Sequence, residues 1–199
     1  MGLIYPCYCS RDELHAASAP HASDGAFVYA GTCCNLTAAE RAAKTRRPAW
    51  RVRVPDEEVS FLDGLQGEVR ENLARECGDF ILRRSDGVYA YQLAVVVDDA
   101  AGGVTEIVRG ADLLRSTPRQ IWLQTQLGLP HPRYFHVPLL LAPDGRRLSK
   151  REHDLDLGAL RQTLTAEQLL GKLAFLAGLL DRPVAASAAE LAREFDWTH

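Results

Sequence analysis

Four of the five cysteines in this 199-residue chain fall among its first 34 residues, at Cys7, Cys9, Cys33 and Cys34, and Cys77 stands apart. No other feature constrains the front of the chain so tightly. Cys7 and Cys9 lie two apart, so on an extended segment their thiols leave from the same face. The opening residues Met1-Gly2-Leu3-Ile4-Tyr5-Pro6 carry no positive region leading into a long apolar stretch, so no export signal is expected. In such a chain, crowded cysteines predict metal ligation rather than disulfides. Zinc suits the set, because it takes four tetrahedral donors and binds sulfur at about 2.3 Å. Cys7 and Cys9 supply two donors, and Cys33, Cys34, His15, His21 and Tyr29 are the candidates for the rest. No His-Glu pair beside the cluster offers a general base, so one structural zinc is expected rather than a catalytic one. Cys77 reads as a core residue.

Bulk composition narrows the class. Hydrophobic residues make up 47% and charged residues 25% of the chain, which predicts a globular fold and excludes disorder. A net charge of -3 advertises no nucleic acid, so any basic footprint must be local. One such footprint is Lys44, Arg46, Arg47, Arg51 and Arg53, with Trp50 among them, next to the cysteine cluster, which fits either a phosphate-tracking patch or a solvated strand edge. No apolar run reaches the length of a membrane span, so no membrane partner is expected and the expected compartment is the cytoplasm.

Helix starts are legible as capping boxes, in which a Ser or Thr and a Glu or Gln three places on satisfy each other's orphan N–H groups. The pairs are Ser10/Glu13, Thr37/Glu40, Thr117/Gln120, Thr165/Gln168 and Ser187/Glu190. The third predicts a helix over residues 118–127, opened by Pro118 and closed at Gly128. The fourth predicts an amphipathic helix over 165–180 carrying Leu169, Leu170, Leu173, Leu176 and Leu180. Strands are expected at 27–29, 50–54, 79–83, 105–108 and 136–141. The run 89–97 is apolar throughout and fits either a strand or a buried helix. There are no internal repeats. The mixture predicts α/β.

The segment Asp144-Gly145-Arg146-Arg147-Leu148-Ser149-Lys150-Arg151 follows a strand and a turn. Its cations suit a polyphosphate, with Arg as a fork and Lys as a compact charge. Arg147-Leu148-Ser149-Lys150-Arg151 resembles the Lys-Met-Ser-Lys-Ser loop of class I aminoacyl-tRNA synthetases. The lead-in His136-Val137-Pro138-Leu139-Leu140-Leu141 is similar to that of the glutamyl branch. So are Tyr91-Gln92-Leu93-Ala94-Val95-Val96-Val97-Asp98-Asp99 and the stretch from Gly103 through Arg109 to Leu114. In front, Cys7-x-Cys9 followed by Tyr29-x-x-x-Cys33 looks like the zinc site of the glutamyl-queuosine branch.

This resemblance implies a partial class I nucleotide-binding (Rossmann-like) α/β fold with a zinc-containing insertion and a helical C-terminal tail. The divisions would be 1–78, 79–151 and 152–199. It implies that residues 91–99 are helical, and that Cys7, Cys9, Tyr29 and Cys33 hold the zinc. Lys150 would be catalytic, stabilising charge at the α-phosphate, within an ATP loop of Arg147, Leu148, Ser149, Lys150 and Arg151. Arg109 would grip the glutamate side-chain carboxylate, with Tyr91 beside it. Glutamate, ATP with Mg2+, and tRNA(Asp) are the implied partners of a monomer that transfers glutamate to queuosine in the anticodon loop. Asp98 and Asp99 read as turn formers. The family's His-Ile-Gly-His-type signature is not found in this sequence, so the chain is expected to lack the ATP-gripping front and to activate no glutamate alone. Two rival readings are a fragment of a glutamyl-tRNA synthetase and a non-catalytic zinc-containing RNA-binding remnant.

Overall fold

Capping chemistry decides where most helices begin in the computed structural model, which describes residues 2–10, 12–14, 28–141, 145 and 157–195. Full capping boxes open α1 (Ala38–Ala42) at Thr37, α6 (Ala166–Leu176) at Thr165 and α7 (Ala188–Glu194) at Ser187. The Ser10/Glu13 pair closes the same reciprocal bonds. The remaining helices are α2 (Leu73–Glu76), α3 (Tyr91–Ala101), α4 (Thr117–Leu127) and α5 (Leu157–Thr163).

The Thr117/Gln120 pair is not a capping box. A 3-10 helix over Ala111–Ser116 feeds directly into α4, so Ser116 is already helical (φ -82, ψ -22) and makes no side-chain cap. Its hydroxyl instead accepts a bond from Gln92 at 3.1 Å. Gln120, 1% exposed, gives its amide to Gln92 at 2.8 Å. The expected end of α4 holds, with Gly128 left-handed at φ 66. The helix expected over 165–180 ends at Leu176, and its buried positions are Gly171 and Ala174 rather than the leucines. Gly171 is required there. A Cβ would run into the Val184 carbonyl, whose carbon lies 2.7 Å from the Cβ position.

The strands are β1 (Ile4–Cys7), β2 (Ala49–Val52), β3 (Glu58–Asp63), β4 (Gly67–Asn72), β5 (Phe80–Arg83), β6 (Glu106–Gly110) and β7 (Arg133–Val137). One antiparallel sheet has the order β1-β2-β5. The other, β4-β3-β7-β6, is mixed: β3 is antiparallel to β4 and parallel to β7. Together they make the chain α/β with a mixed sheet. The strand expected over 136–141 lies earlier, because Pro138 lacks an N–H and stops the ladder. Of the expected strand at 27–29, Tyr29 makes an isolated bridge to Gly78, and Phe27 lies outside the described residues.

The chain forms two compact units, one of Met1–Ile107 with Arg115–Tyr134 and one of Val108–Leu114 with Phe135–His199. The core of the first gathers Val52, Leu73, Phe80, Leu82, Val96, Trp122 and Leu123. Phe80 meets Trp122 edge to face at 6.2 Å between centroids. Each such side chain contributes about 1.5–3 kcal/mol by leaving water. This core also settles the ambiguous run 89–97 as helix from Tyr91 on, with Tyr89 in an isolated bridge to Arg83. Val96 is 2% exposed and Leu93, one turn earlier, packs on the same cluster, whereas Val97 is 45% exposed.

Strand β2 departs from its expected alternation. The register against β5 slips between Trp50 and Arg51, and Arg51 and Val52 are both buried. Such a bulge re-aims a side chain. Arg51 therefore leaves the exposed basic patch, while Lys44, Arg46, Arg47 and Arg53 stay on the surface. No helix of the described residues is long and apolar enough to cross a membrane.

Candidate functional site

The front of the chain brings sulfurs and one phenol together. Strand β1 carries Tyr5 and Cys7 inward, and Cys9 follows two residues on. The return segment is fixed by Tyr29 against Gly78 and by a tight turn in which Cys34 N–H donates to Gly31 at 2.8 Å. Gly31 takes φ 75, which a side chain would resist. This turn delivers Cys33, whose N–H donates to the Tyr29 hydroxyl at 2.9 Å and whose sulfur accepts the Tyr8 N–H at 3.4 Å.

The sulfurs of Cys7, Cys9 and Cys33 all lie within 4.8 Å of one another, with Cys9 and Cys33 3.6 Å apart. The Tyr29 oxygen is 3.4 Å from the Cys7 sulfur and 3.9 Å from that of Cys9. Tetrahedral zinc with bonds of about 2.3 Å to sulfur and 2.0 Å to oxygen needs separations of about 3.8 Å between sulfurs and about 3.5 Å from sulfur to oxygen. The Cys9–Cys33 separation and the two distances from the Tyr29 oxygen lie close to those values. Cys34 packs against the cluster without joining this group. His15 and His21 lie outside the described residues.

The protonation balance of these groups is strained. Burial, then the bond with Cys33, pushes the Cys9 thiol up to about 12. Burial and the bond from Cys7 push the Tyr29 phenol up. Burial would also raise Cys7, but its bonds with Tyr29, the Cys9 backbone and Arg51 outweigh it and hold that thiol low. A dication among these donors would favour their ionised forms. Cys77 behaves as a core thiol, bonded to the Gly78 carbonyl and pushed up to about 12 by burial.

The residues expected to meet substrate fall elsewhere. Tyr91 opens α3, is 51% exposed and belongs to the first unit. The neighbouring Gln92 ties this helix start to α4 through its bonds with Ser116 and Gln120. Arg109 sits in β6 within the second unit and is half-buried. Its Nε donates to His136 Nε2 at 3.0 Å. His136 is wholly buried. In the sequence its mark is its place at the head of the apolar run 136–141. Gly145 takes φ 81, while Arg147, Leu148, Ser149, Lys150 and Arg151 lie outside the described residues. Asp98 and Asp99 lie inside α3, where their carbonyls accept the N–H groups of Gly102 and Val104.

Residues 1–176 match the family described as tRNA synthetases class I (E and Q), catalytic domain. The chain is 53% identical over 185 residues to a protein of Nitratidesulfovibrio vulgaris named glutamyl-Q tRNA(Asp) synthetase, a match covering 90% of this chain and 57% of that protein. It is 50% identical over 196 residues to a protein of the same name from Neisseria meningitidis, covering 98% of this chain and 63% of the relative. This chain thus spans roughly three-fifths of the length of these relatives. Among solved structures, a glutamate-tRNA synthetase from Elizabethkingia anophelis superposes with a TM-score of 0.74 at 22% identity, covering 98% of this chain and 46% of that one. A glutamate tRNA ligase from Elizabethkingia meningosepticum, solved in complex with its amino acid, gives 0.73 at 22% identity, covering 99% and 45%. These two likenesses concern the fold.

Proposed function

Because the chain belongs to the class I (E and Q) tRNA synthetase catalytic-domain family, we propose that it serves the ATP-dependent activation of glutamate and its transfer to queuosine in the anticodon loop of tRNA(Asp). The observation that carries this reading is the identity of 50–53% to relatives bearing that name. The assembly of Cys7, Cys9, Tyr29 and Cys33 into one donor set supports it. In this reading the chain is a partial Rossmann-like fold. Residues 1–78 hold the zinc-containing insertion, 79–151 the second half of the nucleotide fold, and 152–199 a helical tail.

The chemistry runs in two steps. The glutamate α-carboxylate attacks the α-phosphorus of ATP, releasing pyrophosphate and leaving glutamyl-adenylate. A hydroxyl of queuosine then attacks the activated carbonyl, and AMP departs. Neither step needs covalent help from the protein, so positioning and charge stabilisation carry the rate. Arg109 holds the glutamate side-chain carboxylate, a task for two parallel N–H donors. The bond from its Nε to His136 orients the guanidinium. Tyr91 adds a hydroxyl at the start of α3. Lys150 places its ammonium on the α-phosphate, and Arg147, Leu148, Ser149 and Arg151 complete the loop around it. Mg2+ would come with the nucleotide and offset the charge of its phosphates. Zinc would be held by Cys7, Cys9, Tyr29 and Cys33, and would act as a staple for the front of the fold.

The test is glutamate charging of queuosine-containing against queuosine-free tRNA(Asp), using the chain joined behind a segment that bears the nucleotide-gripping signature. Glutamate should appear only on the queuosine-containing RNA. Its appearance on the terminal ribose of tRNA(Glu) would instead establish a glutamyl-tRNA synthetase.

A further inference from the structure

The expectation that Arg51 faces solvent fails for a reason that bears on the metal centre. The slip of register at Trp50 and Arg51 turns this side chain inward, leaving it 6% exposed. Its guanidinium carbon lies 3.8 Å from the centre of the Tyr29 ring, and one terminal nitrogen donates to the Asp79 carbonyl at 2.6 Å. The Asp79 carboxylate is otherwise engaged, accepting the Tyr5 hydroxyl at 2.6 Å on one oxygen and the Val54 N–H at 2.9 Å on the other. Arg51 Nε has no acceptor among the described residues. A buried cation held by a carbonyl, an aromatic face and the Cys7 sulfur has no carboxylate ion-paired to it among the described residues, and interior charges persist only when something balances them.

The opposite edge of the same ring supplies the balance. Tyr29 presents its oxygen to the sulfurs of Cys7 and Cys9 while its face lies under the guanidinium. Three thiolates around a dication carry one negative charge in excess, and Arg51 brings one positive charge. Stacking on a planar guanidinium also fixes the plane of the ring, which sets where the phenol oxygen points.

We propose that Arg51 is a positioning residue of the metal centre: stacked on Tyr29 and anchored to Asp79, it aims the phenol oxygen at the ion and balances the excess charge of the three thiolates. This rests on the zinc reading above.

The experiment measures zinc affinity by competition with a chromophoric chelator, and the visible spectrum of the Co2+-loaded chain, for the parent, R51M, R51K, Y29F and the R51M/Y29F pair. R51M keeps bulk but loses charge and plane, and should lower zinc affinity by about tenfold to a hundredfold, the usual range for partners of metal ligands. Its cobalt spectrum should shift as that of Y29F does. The double variant should lose less than the sum of the two single losses, because Y29F already removes the oxygen that Arg51 aims. R51K should recover part of the affinity and, as a folded cation-bearing control, guards against a trivial folding defect. A merely structural arginine would lower the stability of the metal-free chain without changing the cobalt spectrum. R51M with the parent's zinc affinity and spectrum overturns this inference while leaving the zinc reading intact. A parent chain that binds no zinc overturns both.

Discussion

Replacing Gly78 with alanine tests whether the backbone at Tyr29 is held in place by close packing. Gly78 has φ 64, and a Cβ there would sit 2.7 Å from the Tyr29 carbonyl oxygen, 3.0 Å from its nitrogen and 3.2 Å from a Val28 methyl. Two costs add. The left-handed conformation of an L-residue costs about 1–2 kcal/mol. Crowding against a backbone that the Tyr29–Gly78 bridge holds close costs about 1–3 kcal/mol more. A stiffer unfolded chain returns about 0.4–1 kcal/mol. The net loss is about 2–4 kcal/mol, or a fall in melting temperature of roughly 5–10 °C at this chain length. Gly103 supplies the control. It has φ 67 and nothing within 4 Å of its Cβ position, so G103A bears the conformational cost alone, about 1 kcal/mol. Urea unfolding of both variants, followed by tryptophan fluorescence, isolates the contact with Tyr29 as their difference. Zinc affinity should fall in G78A and not in G103A. Equal destabilisation by the two substitutions would refute the packing account.

Other outcomes follow from the same geometry. Serine at Cys7, Cys9 or Cys33 should release zinc, measured as bound metal per chain, whereas Cys34→Ser should retain it. Gly171→Ala should destabilise the second unit by about 1–3 kcal/mol or more despite its better helix propensity, because the Val184 backbone blocks the methyl; chemical unfolding followed by circular dichroism reads this. Burial raises the Glu71 carboxyl, against the pull of Arg119 and Arg115. A raised folded value means that stability from this group is fully present below its unfolded value and is lost as pH rises through the folded one. Glu71→Gln should therefore flatten the pH dependence of stability from the ordinary glutamate range upward, measured by urea midpoints. In the enzyme completed by a nucleotide-gripping segment, Arg109→Lys should raise the glutamate KM by about tenfold or more, through loss of the planar fork.

What could be read without coordinates was mostly local. Thr37, Thr165 and Ser187 each need only a partner three residues away, and all three cap as their spacing predicts. Thr117 offers the same spacing and fails, because the turn before it is already helical and Gln120 is drawn to Gln92 in another helix. The hairpin of β3 and β4 went unread, although Val59 and Phe61 alternate with polar residues ahead of a Gly-rich turn. Arg51 could not be read, since its burial depends on a slip against a strand some thirty residues away. The cysteine cluster was half legible. Spacing puts Cys7 and Cys9 on one face, but choosing Tyr29 and Cys33 over Cys34 took the family resemblance, because a turn at Gly31 and a bridge to Gly78 decide what points inward.

The interleaving of the two units has a consequence for biosynthesis. The polypeptide passes from one unit to the other after Ile107, back after Leu114 and across again after Tyr134. Trp122 and Leu123 complete a cluster begun by Val52, Phe80 and Val96, so a nascent chain halted near residue 107 carries an uncovered oily face. A single cut after Tyr134 keeps every residue of the first unit on one piece but parts Val108–Leu114 from the rest of the second, and ribosome-stalled intermediates near residue 107 should be the species that chaperones hold and that aggregate when they do not.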